Sequence, residues 1–258
     1  MNKIGYIGVL FFLFNNFLFA QNGKSFIVID ANTNKILLED KSNKKHKIAS
    51  LTKIWTALIV LENSKLDDEV VVSKKATLQQ GSSVYLKENQ ISTIEDLLYG
   101  VLLRSGNDAS VALAEHIAGS EKEFVKLMNK KAKKVGIKNT NFVDVTGLGN
   151  NISTAKDVAI MFELALKNSK FKEISSHPSY KNSLDGQVWR NKHKLVVNDD
   201  NKAFAGKTGY TKQSGRTLAT AFFDEKSSKS FIVVTLNEKD DWKVHKSLAQ
   251  KVFAKANW

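Results

Sequence analysis

The two ends of the chain carry short apolar runs of the length and composition typical of β-strands. Residues 25–30 and 35–39 are rich in Ile, Val and Leu and are separated by the polar residues 31–34, which predicts a β-hairpin. Residues 217–223 and 231–236 have the same character and are also joined by a polar turn. Strands at both ends of one chain predict a single sheet that is built from both termini.

The middle of the chain has the longer period of helices, because apolar residues recur every three or four positions. The predicted helices cover, approximately, residues 50–62, 94–103, 108–117, 121–135, 154–166 and 241–253. Residues 169–202 are polar and aperiodic, and we expect them to form a long loop or a mobile connection. The whole pattern predicts an α+β fold, an α/β sandwich in which an antiparallel sheet carries an inserted helical subdomain.

The N-terminal segment is typical of a secretory signal. A short basic start ending at Lys3 is followed by the mostly apolar residues 4–20, so we expect a signal peptide over 1–20 with cleavage after Ala20. An uncleaved membrane anchor is the alternative, although about 20 apolar residues are needed to span a bilayer and two asparagines interrupt this run. We expect residues 21–258 to form one secreted, extracytoplasmic domain, with no additional C-terminal domain and no stable transmembrane segment after cleavage.

Charge and composition narrow the possible partners and chemistries. The chain has 36 lysines, three arginines and a formal net charge of +13, which suits an anionic partner such as an acidic envelope polymer or a lipid headgroup. Base-edge recognition relies heavily on arginine, so we expect no specific nucleic acid as a partner. The absence of cysteine excludes disulfides, a thiolate nucleophile and Cys-ligated zinc.

A serine three residues before a lysine on a helix places a hydroxyl and an amine on one face, where the amine can accept the hydroxyl proton. Four such pairs occur: Ser42/Lys45, Ser50/Lys53, Ser153/Lys156 and Ser169/Lys172. Only Ser50 and Lys53 lie at the head of a strongly apolar helix, where burial would lower the pKa of the lysine towards that of a useful base. The alternative is that Ser50 only caps the helix.

Two further segments place polar groups beside predicted elements. Ser105, Gly106 and Asn107 offer a hydroxyl for proton relay and an amide for substrate, although the same residue types are common in capping turns. Residues 206–211 precede a predicted strand, and their small residues would let an extended peptide pair with this edge while Lys207 suits a substrate carboxylate. The alternative there is a glycine-rich turn with a surface lysine.

Other catalytic signatures are missing from the sequence. The five histidines show no His-x-x-x-His or His-Glu-x-x-His spacing, and neither a Gly-x-Ser-x-Gly elbow nor a complete Walker motif occurs. We therefore expect no metal and no cofactor.

Three short motifs occur in one chain: Ser50-x-x-Lys53, Ser105-Gly106-Asn107 and Lys207-Thr208-Gly209. This trio is the signature of class A β-lactamases and penicillin-binding proteins. Further matching segments are residues 49–53, 96–100, 103–109, 141–143, 206–211 and 241–242, with His245. On these residues the chain resembles the low-molecular-mass D-alanyl-D-alanine carboxypeptidases of the peptidase S11 type, which have a β-lactamase/transpeptidase-like fold. The resemblance covers nearly all of residues 24–253.

The resemblance implies roles for the reacting groups. Ser50 would be the acylated nucleophile, Lys53 its general base and Ser105 the relay that protonates the leaving amine. Asn107 would hold the substrate amide. The backbone N–H groups of Ser50 and Tyr210 would form the oxyanion hole.

The resemblance also implies how the substrate is held. Lys207 and Thr208 would bind its terminal carboxylate beside Gly209, and Arg216 is the candidate for a further carboxylate contact because it is the arginine nearest to this motif in sequence. One departure is Arg104, which stands where the family often has proline.

The implied activity is removal of the terminal D-alanine from the peptidoglycan pentapeptide, with β-lactam antibiotics as covalent inhibitors. Three alternatives stay open. The first is an endopeptidase that cleaves D-alanyl cross-links. The second is a class A β-lactamase, for which Glu163 is the nearest candidate to hold a deacylating water. The third is a β-lactam sensor that is acylated without turnover.

Overall fold

The computed structural model describes residues 23–198 and 202–255, so the predicted signal at residues 1–20 lies outside the described residues. The strands are β1 (Ser25–Asp30), β2 (Ile36–Asp40), β3 (His46–Lys47), β4 (Glu69–Val71), β5 (Ile91–Thr93), β6 (Ile152–Ser153), β7 (Ser179–Lys181), β8 (Val188–Arg190), β9 (Ala203–Thr211), β10 (Gly215–Asp224) and β11 (Lys229–Leu236). The α-helices are α1 (Thr52–Asn63), α2 (Lys74–Thr77), α3 (Ile94–Tyr99), α4 (Asn107–Ala118), α5 (Glu121–Lys134), α6 (Ala155–Leu166), α7 (Ser169–Ser176), α8 (Lys194–Val197) and α9 (Asp241–Phe253). A 3-10 helical turn covers Ala49–Leu51, and a π-helical turn covers Gly100–Arg104. Within the described ranges, no helix combines the length and the apolarity needed to cross a membrane.

A five-stranded antiparallel sheet forms the centre of the fold, in the order β2-β1-β11-β10-β9. Strand β1 pairs with β11, with Ile27 opposite Val234, and β10 pairs with β9, with Thr217 opposite Gly209. The N-terminal and C-terminal strands therefore share one sheet, as the sequence predicts. Among the described strands, β9 lies at an edge of this sheet and has one strand neighbour.

Both faces of the sheet are buried, which makes the fold a sandwich. In β11, Ile232 and Val234 belong to the larger core, which the sheet forms with α1, α4 and α6. The alternate residues Phe231 and Val233 belong to a second core with Leu248 of α9. Successive side chains of a strand point to opposite faces, so a strand covered on both sides is apolar at nearly every position.

The prediction of a long loop for residues 169–202 is wrong in its described part. Residues 169–198 form α7, a hairpin of β7 and β8, and the short helix α8. The Asn168 side chain caps α7 by accepting hydrogen bonds from two backbone N–H groups. The ring of Tyr180 stacks on Tyr99 with 3.6 Å between the ring centroids. A helix cap and tertiary contacts stabilise these elements. The local sequence is polar and has no regular period, so it does not predict them.

The central helix α1 is buried from Thr52 to Val60 and carries Lys53 in its first turn. Trp55 has no exposed surface, donates its indole N–H to the carbonyl of Met128 at 3.0 Å and stacks on Phe142. The packing of this side chain therefore fixes α1 against the helical subdomain.

Replacing Trp55 with alanine should lower the free energy of unfolding by about 3–5 kcal/mol, because a large buried ring and its hydrogen bond are lost. Urea unfolding followed by circular dichroism measures the change. The control is Leu127→Ala on α5, a side chain that is partly exposed and whose loss should cost less than about 1 kcal/mol. Equal stability of the two variants would contradict the central role of Trp55.

Candidate active site

A cleft of about 570 Å³ opens between the edge strand β9 and the helical subdomain. Six of the residues predicted from sequence line it: Ser50, Ser105, Thr208, Gly209, Tyr210 and Arg216. The other three, Lys53, Asn107 and Lys207, lie directly beneath and form hydrogen bonds with the lining residues or with each other. The structure thus brings all nine predicted site residues together.

Ser50 lies in the 3-10 turn that precedes α1. The residue that caps α1 is Leu51, so the hydroxyl of Ser50 does not serve as the helix cap. The amine of Lys53 lies one turn further on and donates to Ser50 Oγ at 3.2 Å. Ala49 has φ of 47°, a left-handed conformation that is rare outside glycine. This strained turn holds the serine hydroxyl at the mouth of the cleft.

The amine of Lys53 is enclosed by oxygen atoms from separate parts of the chain. Besides Ser50, it donates to Asn107 Oδ1 and to the backbone carbonyl of Thr146, both at 2.6 Å. Its burial lowers the pKa of Lys53 to about 7, against an opposing contribution from the negative charge of Asp144. At neutral pH a large fraction of this amine is uncharged, which is the form that can accept the serine proton.

A second hydroxyl and amine pair faces the first across the cleft. Ser105 ends the π-helical turn in a left-handed conformation, with φ of 63°, and its Oγ accepts a hydrogen bond from Lys207 Nζ at 3.0 Å. Lys207 is fully buried, and burial holds its pKa well below the usual value, with the charges of Lys53 and Lys192 acting in the same direction. The amines of Lys53 and Lys207, each of which can carry a proton, therefore lie on opposite sides of the cleft.

Asn107, the first residue of α4, joins the two sides of the cleft. Its Oδ1 accepts from Lys53, while its Nδ2 donates to the backbone carbonyl of Gln80 at 2.5 Å. The side chain of Asn107 is therefore held in one orientation, with its amide between the turn of Ala49–Leu51 and the loop of residues 78–90.

Two glycines allow backbone segments to approach the catalytic turn from both sides. A Cβ atom at Gly209 would lie 3.0 Å from the backbone nitrogen of Ser50 and 2.4 Å from Thr217 Oγ1. A Cβ at Gly147, where φ is +89°, would lie 1.9 Å from the carbonyl oxygen of Ala49. Only glycine fits at either position. The peptide groups around Ser50 are consequently clamped between β9 and the loop of residues 144–149.

The outer part of the cleft is formed by residues of β9, β10 and the start of α9. Arg216 lies opposite Tyr210 in the strand register, and its guanidinium lies 5.9 Å from the centroid of the Tyr210 ring. Lys192 also lines the cleft, and its amine donates to Ser82 Oγ at 3.0 Å. Positive groups therefore surround Ser50 on several sides, which favours an anionic group in the cleft.

The comparisons with known proteins agree with this geometry. Residues 18–240 match the peptidase S11 family, D-alanyl-D-alanine carboxypeptidase. The chain belongs to this family. The D-alanyl-D-alanine carboxypeptidase DacF of Bacillus subtilis is 39% identical over 216 residues, which are 78% of this chain and 54% of that protein. A D-alanyl-D-alanine endopeptidase of Escherichia coli is 33% identical over 202 residues, 75% of this chain and 65% of that protein.

A solved structure gives the same result for the fold. The D-alanyl-D-alanine carboxypeptidase of Mycobacterium tuberculosis aligns with a TM-score of 0.83 and 28% identity, over 90% of this chain and 90% of that one. The predicted fold class is confirmed. The chain spans about half the length of DacF.

The sequence of this S11 family member did not reveal two groups that contribute to the site. One is the carbonyl of Thr146, which is held in place because the carboxylate of Asp144 accepts from the backbone N–H groups of Thr146, Gly147 and Gly149. A backbone carbonyl has no residue signature, so only the Asp and Gly spacing of this loop could have indicated it. The other is Lys192, which lies in the segment predicted to be irregular.

The remaining Ser-x-x-Lys pairs and Glu163 have no part in the cleft. Ser42 donates to Glu39, and Ser153 bonds to Thr140. Glu163 is buried in α6 and forms an ion pair with Lys167 at 2.6 Å, in a different depression of the surface. The candidate for holding a β-lactamase water thus does not line the cleft that contains Ser50. Among the described residues, no group of three or more acidic or histidine side chains could hold a metal ion.

Two buried histidines fix the back of β9. His193 Nε2 lies 3.0 Å from Thr220 Oγ1, which lies 2.8 Å from His245 Nδ1 on α9. Gly206 provides the space, since a Cβ there would lie 2.3 Å from His193 Nε2. Trp242, which lines the cleft, packs edge-on against the His193 ring. Burial lowers the pKa of His193 to about 3 and holds that of His245 well below its usual value.

Replacing Gly209 with alanine should slow acylation of Ser50 by about 100-fold or more, the usual effect of losing a donor to a developing oxyanion, because the new methyl group displaces β9 from the Ser50 N–H. The rate of labelling by a fluorescent penicillin measures it. Gly136→Ala is the control, because its surroundings are open but its φ is +78°. This control should lose stability and keep its labelling rate. Unchanged labelling of Gly209→Ala would contradict the clamp.

Proposed function

We propose that this chain is a serine-type D-alanyl-D-alanine carboxypeptidase that removes the terminal D-alanine from the peptidoglycan pentapeptide in an extracytoplasmic compartment. The observation that carries the proposal is the buried amine of Lys53, 3.2 Å from Ser50 Oγ and opposite the Ser105 and Lys207 pair. Membership of the S11 family and the N-terminal sequence of residues 1–20 support it. β-Lactam antibiotics acylate the same serine.

Acylation begins when Lys53 accepts the Ser50 proton and Oγ attacks the carbonyl carbon of the penultimate D-alanine. The negative charge that develops on the carbonyl oxygen is stabilised by the N–H groups of Ser50 and Tyr210, beside the close approach at Gly209. The C–N bond then breaks as Ser105 delivers a proton to the leaving amine, and Ser105 takes a proton in turn from the Lys53 ammonium, which returns Lys53 to its uncharged form. Lys53 next accepts a proton from water as the water oxygen attacks the ester carbonyl, and it returns that proton to Ser50 Oγ as the ester C–O bond breaks.

The carboxylate of the departing D-alanine is held by the third motif. Thr208 offers a hydroxyl, and Arg216 offers a guanidinium on the neighbouring strand. Lys207 is buried with a lowered pKa, so an arriving carboxylate favours its protonated form. Substrate binding and charging of Lys207 are therefore coupled, and Asn107 holds the amide on the other side of the scissile bond.

An endopeptidase acting on D-alanyl cross-links is the second candidate. The observation that favours it is the extension of the cleft beyond Arg216 to residues 239–243, which gives room for a leaving group larger than D-alanine. The related E. coli protein is named an endopeptidase. Incubation with pentapeptide and with cross-linked muropeptides separates the two activities by their products. A sensor that is only acylated would release no D-alanine from either.

Replacing Ser50 with alanine should abolish both D-alanine release and covalent labelling by a fluorescent penicillin, because the nucleophilic oxygen is removed. Ser169→Ala is the matched control, an exposed serine that also stands three residues before a lysine. This control should keep both activities. Labelling that survives in Ser50→Ala would identify another nucleophile and refute the proposal.

The rate of acylation should rise about tenfold per pH unit in the acidic range and level off above pH 7, because the uncharged amine of Lys53 is the base and its pKa is about 7. The positive charge of Lys192 lowers that pKa. Lys192→Gln should therefore raise the pKa of Lys53 and move the acidic limb of the profile to higher pH. Stopped-flow labelling at several pH values tests both points. A limb that stays in place or moves to lower pH would contradict this electrostatic coupling.

A further inference from the structure

A groove of about 170 Å³ lies next to the catalytic cleft. Three chain segments pass from the cleft into it: residues 82–83, 104–105 and 190–192. The hydrogen bond from Lys192 to Ser82 joins two of these segments at the boundary. Arg104 is the neighbour of Ser105 in sequence, so their Cα atoms are about 3.8 Å apart. The groove therefore adjoins the cleft on the side of Ser105.

The groove concentrates arginine in a chain that otherwise uses lysine. Two of the three arginines, Arg104 and Arg190, line it, and the third lines the cleft. Within residues 23–198 and 202–255, neither Arg104, Arg190 nor Lys192 forms an ion pair. The planar fork of arginine matches a carboxylate better than an ammonium does.

The positive groups of the groove repel one another in the absence of an anion. Arg104 donates to the backbone carbonyl of Arg190 at 3.5 Å, which holds the two residues side by side. Burial and the charge of Arg104 both lower the pKa of Lys192. An anion bound here would relieve this repulsion.

Four of the six other residues that line the groove are apolar or aromatic: Val84, Tyr85, Val188 and Trp189. Tyr85 is 84% exposed and has φ of 63°, so a left-handed loop residue presents its ring to solvent. Val188 is 55% exposed above the buried Trp189. Val188 and Trp189 belong to β8, which pairs with β7 alone among the described strands. Apolar side chains beside arginines fit a peptide that carries a carboxylate better than a small inorganic anion.

We propose that this groove binds a carboxylate of the substrate peptide through Arg190 and Arg104. Two residues of the peptide separate the residue that carries this carboxylate from the scissile bond. The position of this carboxylate relative to the scissile bond rests on the proposed function, because it takes Ser50 as the residue that attacks the scissile bond. Two extended residues span roughly 7 Å, and Arg104 directly precedes Ser105, which lines the same cleft as Ser50. In a stem pentapeptide this carboxylate is that of the D-glutamyl residue, which occurs free or amidated.

The test compares two pentapeptides that differ only in a free or amidated D-glutamyl carboxylate. The wild-type protein should release D-alanine from the free acid with kcat/KM roughly tenfold higher, the effect of one charge-assisted hydrogen bond. Arg190→Gln should abolish this preference while the amidated peptide reacts as before. Lys181→Gln is the control, since Lys181 is exposed on the other strand of the same hairpin. It should keep the preference.

Binding without turnover separates this proposal from the proposed function. Calorimetric titration of the two peptides onto Ser50→Ala should show tighter binding of the free acid, and Ser50→Ala combined with Arg190→Gln should not. If D-alanine is never released but this difference in binding persists, the activity is wrong and the groove is right. Equal binding of the two peptides, or an equal loss for both peptides in Arg190→Gln, would overturn the groove proposal.

Discussion

The arrangement of the cleft depends on one lysine amine that is held out of water. Removing an ammonium group from water costs several kcal/mol even after the surroundings relax, and a buried lysine commonly responds by losing its proton. In this chain, the oxygen atoms of Ser50, Asn107 and Thr146 surround the Lys53 amine and satisfy its hydrogen bonds in either state. Burial makes the amine a base, and the three acceptors direct it towards one hydroxyl.

The need to enclose the Lys53 amine explains why parts of the chain that are distant in sequence meet at the cleft. The helix α1 supplies the lysine, the start of α4 supplies Asn107, and the loop of residues 144–149 supplies a carbonyl. None of these segments could be displaced without exposing the amine or leaving it without acceptors. Gly147 and Gly209 serve the same enclosure, because they let the backbone of two other segments approach the turn of residues 49–51 closely.

The sequence predicted the parts of this site that depend on side-chain identity. The sheet and most of the helices follow from apolar periodicity, and seven of the nine site residues belong to three short motifs. Tyr210 was predicted from the family resemblance, and Arg216 from its nearness in sequence to the third motif. Ser50 was predicted at a helix start, and it lies instead in a 3-10 turn whose geometry depends on the left-handed Ala49. Residues 169–198 were missed because their order comes from a cap and from ring contacts such as Tyr99 on Tyr180. Such contacts join residues far apart in sequence, and no local period records them.

The two buried histidines behind β9 have a consequence for the compartment in which the protein works. Both have lowered pKa values, so the folded chain resists protonation at sites that the unfolded chain protonates below about pH 6.5. The stability that these two histidines contribute is therefore fully present above that pH and is lost as the surroundings acidify. Since His245 links α9 to the sheet and His193 packs against Trp242, this loss falls on the outer wall of the cleft.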